Sequence, residues 1–167
     1  LDTALEEDLR GTNTLRPKVP NRITHRRITF TAKGVSNIPR HWLRSDPDGT
    51  KIAFLAPDSN DIIQLFYVSP NNENEQPTQL TNLEFSVQGP FNFSPDGKQI
   101  AFVADNSVFI TDVADGKSVR LTPRTSDEDR PVGAVNWSND GNMLAYNRYK
   151  KSGEEKYLQI FLLKRTD

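Results

Sequence analysis

The chain has 167 residues and 35% hydrophobic content, enough to bury the core of one ordinary domain. A formal charge of −1 and a pI near 6.2 supply no basic excess to neutralise a phosphate backbone or an anionic membrane surface, so nucleic acid is not an expected partner. Cysteine is absent, which excludes disulfides, cysteine zinc sites and thiol catalysis while leaving periplasm and cytoplasm equally open, and no run approaches the ~18–20 apolar residues of a membrane span.

Residues 1–22 read as a linker or extended arm. The start, Leu1 to Arg10, is acidic rather than a basic stub before an apolar stretch, so it carries no signal-peptide pattern. Pro17 and Pro20 amid mixed charge suggest a connection cut from a longer chain. Thr3 to Leu9 is one of two short helical candidates; the other lies around Asp127. Residues 26–31 contain Arg27-Ile28-Thr29-Phe30, a short strand signal that recurs in altered form further along.

From residue 42 the chain repeats itself. Trp42-Leu43-Arg44-Ser45-Asp46-Pro47-Asp48-Gly49-Thr50-Lys51-Ile52-Ala53-Phe54 is echoed by Phe91-Asn92-Phe93-Ser94-Pro95-Asp96-Gly97-Lys98-Gln99-Ile100-Ala101-Phe102. A third copy is Val135-Asn136-Trp137-Ser138-Asn139-Asp140-Gly141-Asn142-Met143-Leu144-Ala145-Tyr146, and the turn glycines fall 48 and 44 residues apart. Each copy predicts a hairpin. Proline presets φ, the Asp side chain bonds nearby N–H groups, and glycine accepts the left-handed conformation that reverses the chain. Ala53, Ala101 and Ala145 sit between bulky residues, as expected where both faces of a sheet are buried. A third strand follows each hairpin at Ile62 to Val68, Val108 to Val113 and Tyr157 to Leu163, rich in β-branched and aromatic residues. Gln79-Leu80-Thr81 and Val119-Arg120-Leu121-Thr122 signal a fourth.

Four antiparallel strands per ~45 residues is the period of a propeller blade. The expected fold is therefore all-β, an incomplete β-propeller of about three four-stranded blades at residues 39–81, 90–122 and 134–164 within 23–167. No helix fits inside a blade. Residues 26–31 resemble a fourth strand with no first three, whereas the third blade ends with three strands and no fourth. Two arrangements follow: a homodimer in which each amino-terminal strand completes the partner's last blade, or a piece of a longer propeller whose other blades cover the open edges.

The Ser-Pro-Asp-Gly-Lys-x-Ile-Ala-Phe core at residues 94–102 resembles the TolB-type, PD40 class of WD40-like repeats, and Leu80-Thr81 and Leu121-Thr122 resemble that repeat's end. The stretches Leu9 to Pro17, Arg26 to Thr31 and Pro39 to Ser45 resemble more closely still a family of uncharacterised bacterial YidR-like propeller proteins, in their carboxyl-terminal portion. That resemblance implies a likeness in fold to oligogalacturonide lyases, which hold manganese through histidines and a glutamine. His25 and His41, 16 residues apart, supply no matching cluster, so no cofactor or metal is assigned. Ser45 departs from the repeat, standing where the other copies have Phe93 and Trp137.

Function in propellers usually sits on loops at the channel mouth, here 31–40, 82–90 and 123–133 with 56–61, 104–106 and 147–156. Arg40, His41 and Arg44, near the first inner strand, are candidate ligands for an anion such as an acidic sugar; the plainer reading is a hydrogen-bonded strand end. Arg124 and Arg130, with Asp127, Glu128 and Asp129, offer a charged loop for a ligand or protein partner, against a simply solvated run. His25 beside Arg26 and Arg27 is a poor metal ligand. Trp42, Phe93 and Trp137 read as core rather than as a sugar platform. Lys150 and Lys151 lie beside Gly153, Glu154 and Glu155, where nothing apolar would lower an amine's pKa. No nucleophile elbow or phosphate-binding glycine loop occurs. The sequence therefore points to a protein- or ligand-binding propeller portion. The rivals are part of an oligosaccharide-active enzyme, or the propeller gate of a peptidase whose hydrolase domain would lie downstream.

Overall fold

The computed structural model describes residues 12–17, 23–72 and 76–166. Among these residues eleven strands form three antiparallel sheets. The first comprises β1 (Arg44–Ser45), β2 (Ile52–Pro57), β3 (Ile63–Val68) and β4 (Thr78–Gln79), and the second β5 (Asn92–Phe93), β6 (Gln99–Ala104), β7 (Ser107–Asp112) and β8 (Ser118–Arg120). The third has only β9 (Pro131–Trp137), β10 (Met143–Ser152) and β11 (Glu155–Lys164). Strands pair in chain order within each sheet, and β6 and β5 pack against β9 while β1 meets β5, so the sheets stand side by side with their first strands adjacent. This is the blade arrangement the repeat predicts, open after three blades, and no helix occurs among the described residues.

The turn chemistry is visible atom by atom. Gly49, Gly97 and Gly141 take φ of 68°, 71° and 73°, the left-handed region their turns require. In the second blade the Ser94 hydroxyl accepts the Gln99 N–H (2.9 Å) and donates to Asp96 Oδ1 (2.6 Å). Ser138 accepts the Met143 N–H (2.9 Å) and donates to Asp140 in the same way. In the first blade Asp46 replaces the serine: its Oδ1 accepts the Lys51 N–H (2.9 Å) and its Oδ2 the Thr50 hydroxyl (2.6 Å).

Packing follows the two-residue period of the strands. One face of the second blade, with Phe91, Ile100, Phe102 and Phe109, meets Ala53, Leu55 and Leu65 of the first. Its other face, with Ala101, Val103 and Val108, meets Val135, Leu144 and Tyr146 of the third. Each fully buried Phe of this kind is worth about 3–5 kcal/mol against alanine. The middle blade is thus buried on both faces, as the small repeating alanines imply. In the third blade Ala145 is only half-buried, because Met143, Leu158, Ile160 and Leu162 on its far side are exposed. Trp42 corrects the sequence reading: it is 58% exposed beside Arg44, not core, because among the described residues no blade packs on that side of the first sheet. Phe93 and Trp137, which do have a preceding blade, are half-buried and packed against the cores.

The short fourth strands are pinned by the Leu-Thr pair. The Leu80 N–H donates to the Leu65 carbonyl (2.8 Å), and the Thr81 hydroxyl accepts the Leu65 N–H (2.9 Å). The Leu121 N–H likewise donates to the Val108 carbonyl (2.8 Å), and the Thr122 hydroxyl accepts the Val108 N–H (3.0 Å). Gly116, between β7 and β8, lies so near the first blade that an added Cβ would stand 2.3 Å from the Leu80 carbonyl oxygen. Residues 26–31 enter no ladder with any described strand; Ile28 packs on the outer face of the first blade against Phe54, Ala56 and Val68, and Arg26 donates to the Pro70 carbonyl at 2.6 Å. The helical candidate Thr3 to Leu9 lies outside the described residues, and the stretch around Asp127 is a turn.

Candidate functional site

The position five residues before each turn glycine holds Arg44, Asn92 and Asn136, and the three inner strands bring these side chains into line. Arg44 Nε donates to Asn92 Oδ1 (3.1 Å), and Asn92 Nδ2 donates to Asn136 Oδ1 (3.0 Å) and to the Val135 carbonyl (2.9 Å). Trp137 Nε1 closes the set on the Asn92 carbonyl at 3.2 Å. Along the three side chains the donors run from each blade to the next, while the Trp137 indole donates back to the second blade. These residues line a groove of about 400 Å³ together with Ser45, Pro47, Phe93, Ser94, Pro95 and Asn139. That volume falls within the range of small-ligand clefts, ~300–1,000 Å³. Of the Arg44 guanidinium, Nε is held by Asn92 and Nη1 by the Leu43 carbonyl (3.1 Å). Nη2 has no protein partner among the described residues, so the wall carries one fixed cation beside the Asn92 amide, its Cζ 5.8 Å from the Trp42 ring.

The other sequence candidates lie elsewhere. Arg40 is exposed with φ of 71° and does not line the groove. His41 is half-buried, its Nδ1 within 2.7 Å of the Ser36 hydroxyl, and burial holds its imidazole below the ordinary pKa. Arg124 pairs through Nε with Asp105 Oδ1 (2.9 Å), and Arg120 holds the other oxygen of that carboxylate (2.6 Å) while lying over the Phe109 ring. Arg130 is exposed at the edge of β9. The acidic members of that loop are largely engaged: Asp127 accepts from Asn106 Nδ2 (2.6 Å), and Asp129 pairs with Arg148 (3.5 Å).

Loop clustering at one rim is nonetheless real. Asp105 and Asn106 form the two-residue turn between β6 and β7, both with positive φ (44° and 52°), as a type I′ turn demands. Asn106 is buried, exchanges hydrogen bonds with Gln88, and reaches Thr125 and Asp127. The loops 82–90 and 123–130 are therefore tied to one turn. The Arg44 groove lies instead by the turn residues Pro47, Pro95 and Asn139. Sequence reasoning searched the loops and selected Arg44 while passing over Asn92 and Asn136. Alignment on the turn glycines carried the missing signal, since all three share one register position. Among the described residues no group of three or more His, Cys, Asp or Glu is placed to hold a metal ion, and no helix is long and apolar enough to cross a membrane.

Comparison with known proteins agrees with this architecture. The family described as Dipeptidyl peptidase IV (DPP IV) N-terminal region matches residues 86–161. The uncharacterized protein YidR of Escherichia coli (strain K12) is 39% identical over 142 residues, covering 83% of this chain and 34% of its own. The chain thus spans about a third of that relative's length. A putative TolB from Agrobacterium tumefaciens aligns over 72% of this chain and 40% of its own, with TM-score 0.53 and 23% identity. An oligogalacturonate lyase from Vibrio parahaemolyticus aligns over 75% and 36%, with TM-score 0.57 and 12% identity, a likeness of fold. The chain is an incomplete TolB-like β-propeller, similar over most of its length to YidR.

Proposed function

We propose that this part of the propeller is a binding module whose inner-strand groove takes a ligand bearing a carboxylate, such as an acidic oligosaccharide or an acidic peptide side chain. The observation that carries the reading is the line from Arg44 through Asn92 to Asn136, in which a guanidinium is fixed by two of its nitrogens and the third faces no acceptor among the described residues. Guanidinium and carboxylate match in planar geometry, and the neighbouring amides and Trp137 suit sugar hydroxyls and a ring face. Titration calorimetry with a panel of carboxylated and neutral oligosaccharides tests it. Binding restricted to the carboxylated members, weakened at least tenfold by Arg44→Gln, is the expected result. Equal binding by Arg44→Gln, or preference for neutral sugars, refutes it.

The second reading, part of an oligosaccharide-active enzyme, is favoured by the likeness of fold to the Vibrio oligogalacturonate lyase. Incubating the same carboxylated panel with the chain and manganese, and following the ultraviolet absorbance of unsaturated products, separates the readings, because a binding module yields none.

A further inference from the structure

The groove beside Arg44 continues past the inner strands. It shares Ser94, Pro95, Trp137 and Asn139 with a second cavity of about 310 Å³ that opens between the turns of the second and third blades. Its walls are two complete hairpin turns. The equivalent place between the first two blades is packed, since a Cβ on Gly97 would stand 3.2 Å from Pro47 Cδ, whereas around Gly141 nothing lies within 4 Å.

The joined cleft changes chemistry along its length. Arg44 stands at one end and the part-buried Trp137 in the middle, its indole fixed by the bond to the Asn92 carbonyl. The far end carries Asp96 and Asp140 with Gln99 and Asn142. The Ser94 and Ser138 hydroxyls and the Lys98 and Asn142 N–H groups hold these two carboxyls below their ordinary pKa, so both are charged at neutral pH. Those bonds fall on Oδ1; Asp140 Oδ2 accepts only the Asn142 amide, and Asp96 Oδ2 meets only the exposed Lys98 ammonium at 3.9 Å. Arg165 lines this end too, exposed and paired with neither carboxylate among the described residues, so two carboxylates against one guanidinium leave the lining negative. At the junction Asn139 replaces the proline of the other two turns and brings a side-chain amide that no described residue engages.

We propose that this cleft takes an oligosaccharide with one acidic residue, its carboxylate on Arg44 and the neutral sugars after it running past Trp137 to give their hydroxyls to Asn139, Asp96 and Asp140. The inference rests on the carboxylate reading of the Arg44 groove and narrows it to one ligand class. Sugar hydroxyls both donate and accept, so they serve free carboxylate oxygens and amide groups alike, and the indole supplies apolar surface for a ring. A chain of uronic acids fits worse, because its later carboxylates would approach Asp96 and Asp140, and like charges brought together at an interface oppose binding.

Titration calorimetry on the 167-residue chain tests this with a uronic acid monosaccharide, a trisaccharide of one terminal uronic acid and two neutral hexoses, a tri-uronate, and a tripeptide with one glutamate. The mixed trisaccharide is expected to bind tightest, about tenfold tighter than the tri-uronate. Replacing both carboxylates, Asp96→Asn with Asp140→Asn, keeps side-chain size and narrows that gap to about twofold or less. Asn139→Pro, which restores the residue of the other turns, lowers the trisaccharide's affinity to near that of the monosaccharide; circular dichroism checks that both variants are folded. A tri-uronate or tripeptide that binds as tightly as the mixed trisaccharide, or a gap unchanged in the folded double variant, overturns this inference and leaves the Arg44 reading standing. Binding by none of the acidic probes, or binding that Arg44→Gln leaves unchanged, overturns both.

Discussion

Gly116 and Gly141 make a controlled pair. Both sit in strand-connecting turns with φ of 73°, so alanine at either pays the left-handed penalty of about 1–2 kcal/mol. Around Gly141 nothing lies within 4 Å of an added Cβ, and the penalty ends there. At Gly116 the Cβ would stand 2.3 Å from the Leu80 carbonyl oxygen, a backbone atom that cannot swing aside. Leu80 is itself fixed by its N–H bond to Leu65 at 2.8 Å, so relief must shift either the second blade's outer turn or the first blade's last strand. Overpacking of that kind adds about 1–3 kcal/mol. Gly116→Ala is therefore expected to lose about 2–5 kcal/mol, against about 1–2 for Gly141→Ala. Urea unfolding followed by circular dichroism measures both, with comparable slopes required for the comparison. Equal losses, within about 0.5 kcal/mol, would refute the view that the outer turn of one blade is seated on the backbone of the next.

Asp46 allows a test of acid stability. Burial alone would raise its pKa, but the Thr50 hydroxyl, the Lys51 and Thr50 N–H groups and the Lys51 charge together hold it below the ordinary value. A depressed carboxylate stabilises the native state above the unfolded pKa of about 3.9, and that contribution is lost as pH falls through the lower folded value. Asp46→Ser, which restores the serine of the other repeats, is expected to unfold at neutral pH within about 1.5 kcal/mol of wild type and to show a shallower decline below about pH 4; identical acid slopes would contradict this. Asn92→Leu strands the Val135 carbonyl and Arg44 Nε together, and is expected to cost about 1–3 kcal/mol in thermal or denaturant unfolding.

The blades were legible because turn chemistry and strand period are local. The Pro-Asp-Gly and Asn-Asp-Gly turns, the third strands and the short fourth strands all fall where the sequence puts them, give or take a few residues at the ends. What depended on neighbours was harder to read. Trp42 and Trp137 both read as core, yet they stand seven and four residues before their turn glycines, and among the described residues only Trp137 packs against a neighbouring blade. The carboxylates of the 123–130 loop look solvated, but Asn106 and Arg148 reach them from other strands. The Arg44 groove belongs to three repeats at once, and no single repeat contains it.

The turn at Asp105 and Asn106 sets how the loop rim responds to a visitor. Because one buried side-chain amide is bonded to both the 82–90 and the 123–130 loops, displacing either costs hydrogen bonds that also hold the other. A partner that bound that rim would meet loops already cross-linked through Asn106. Its association would lose correspondingly less to loop ordering.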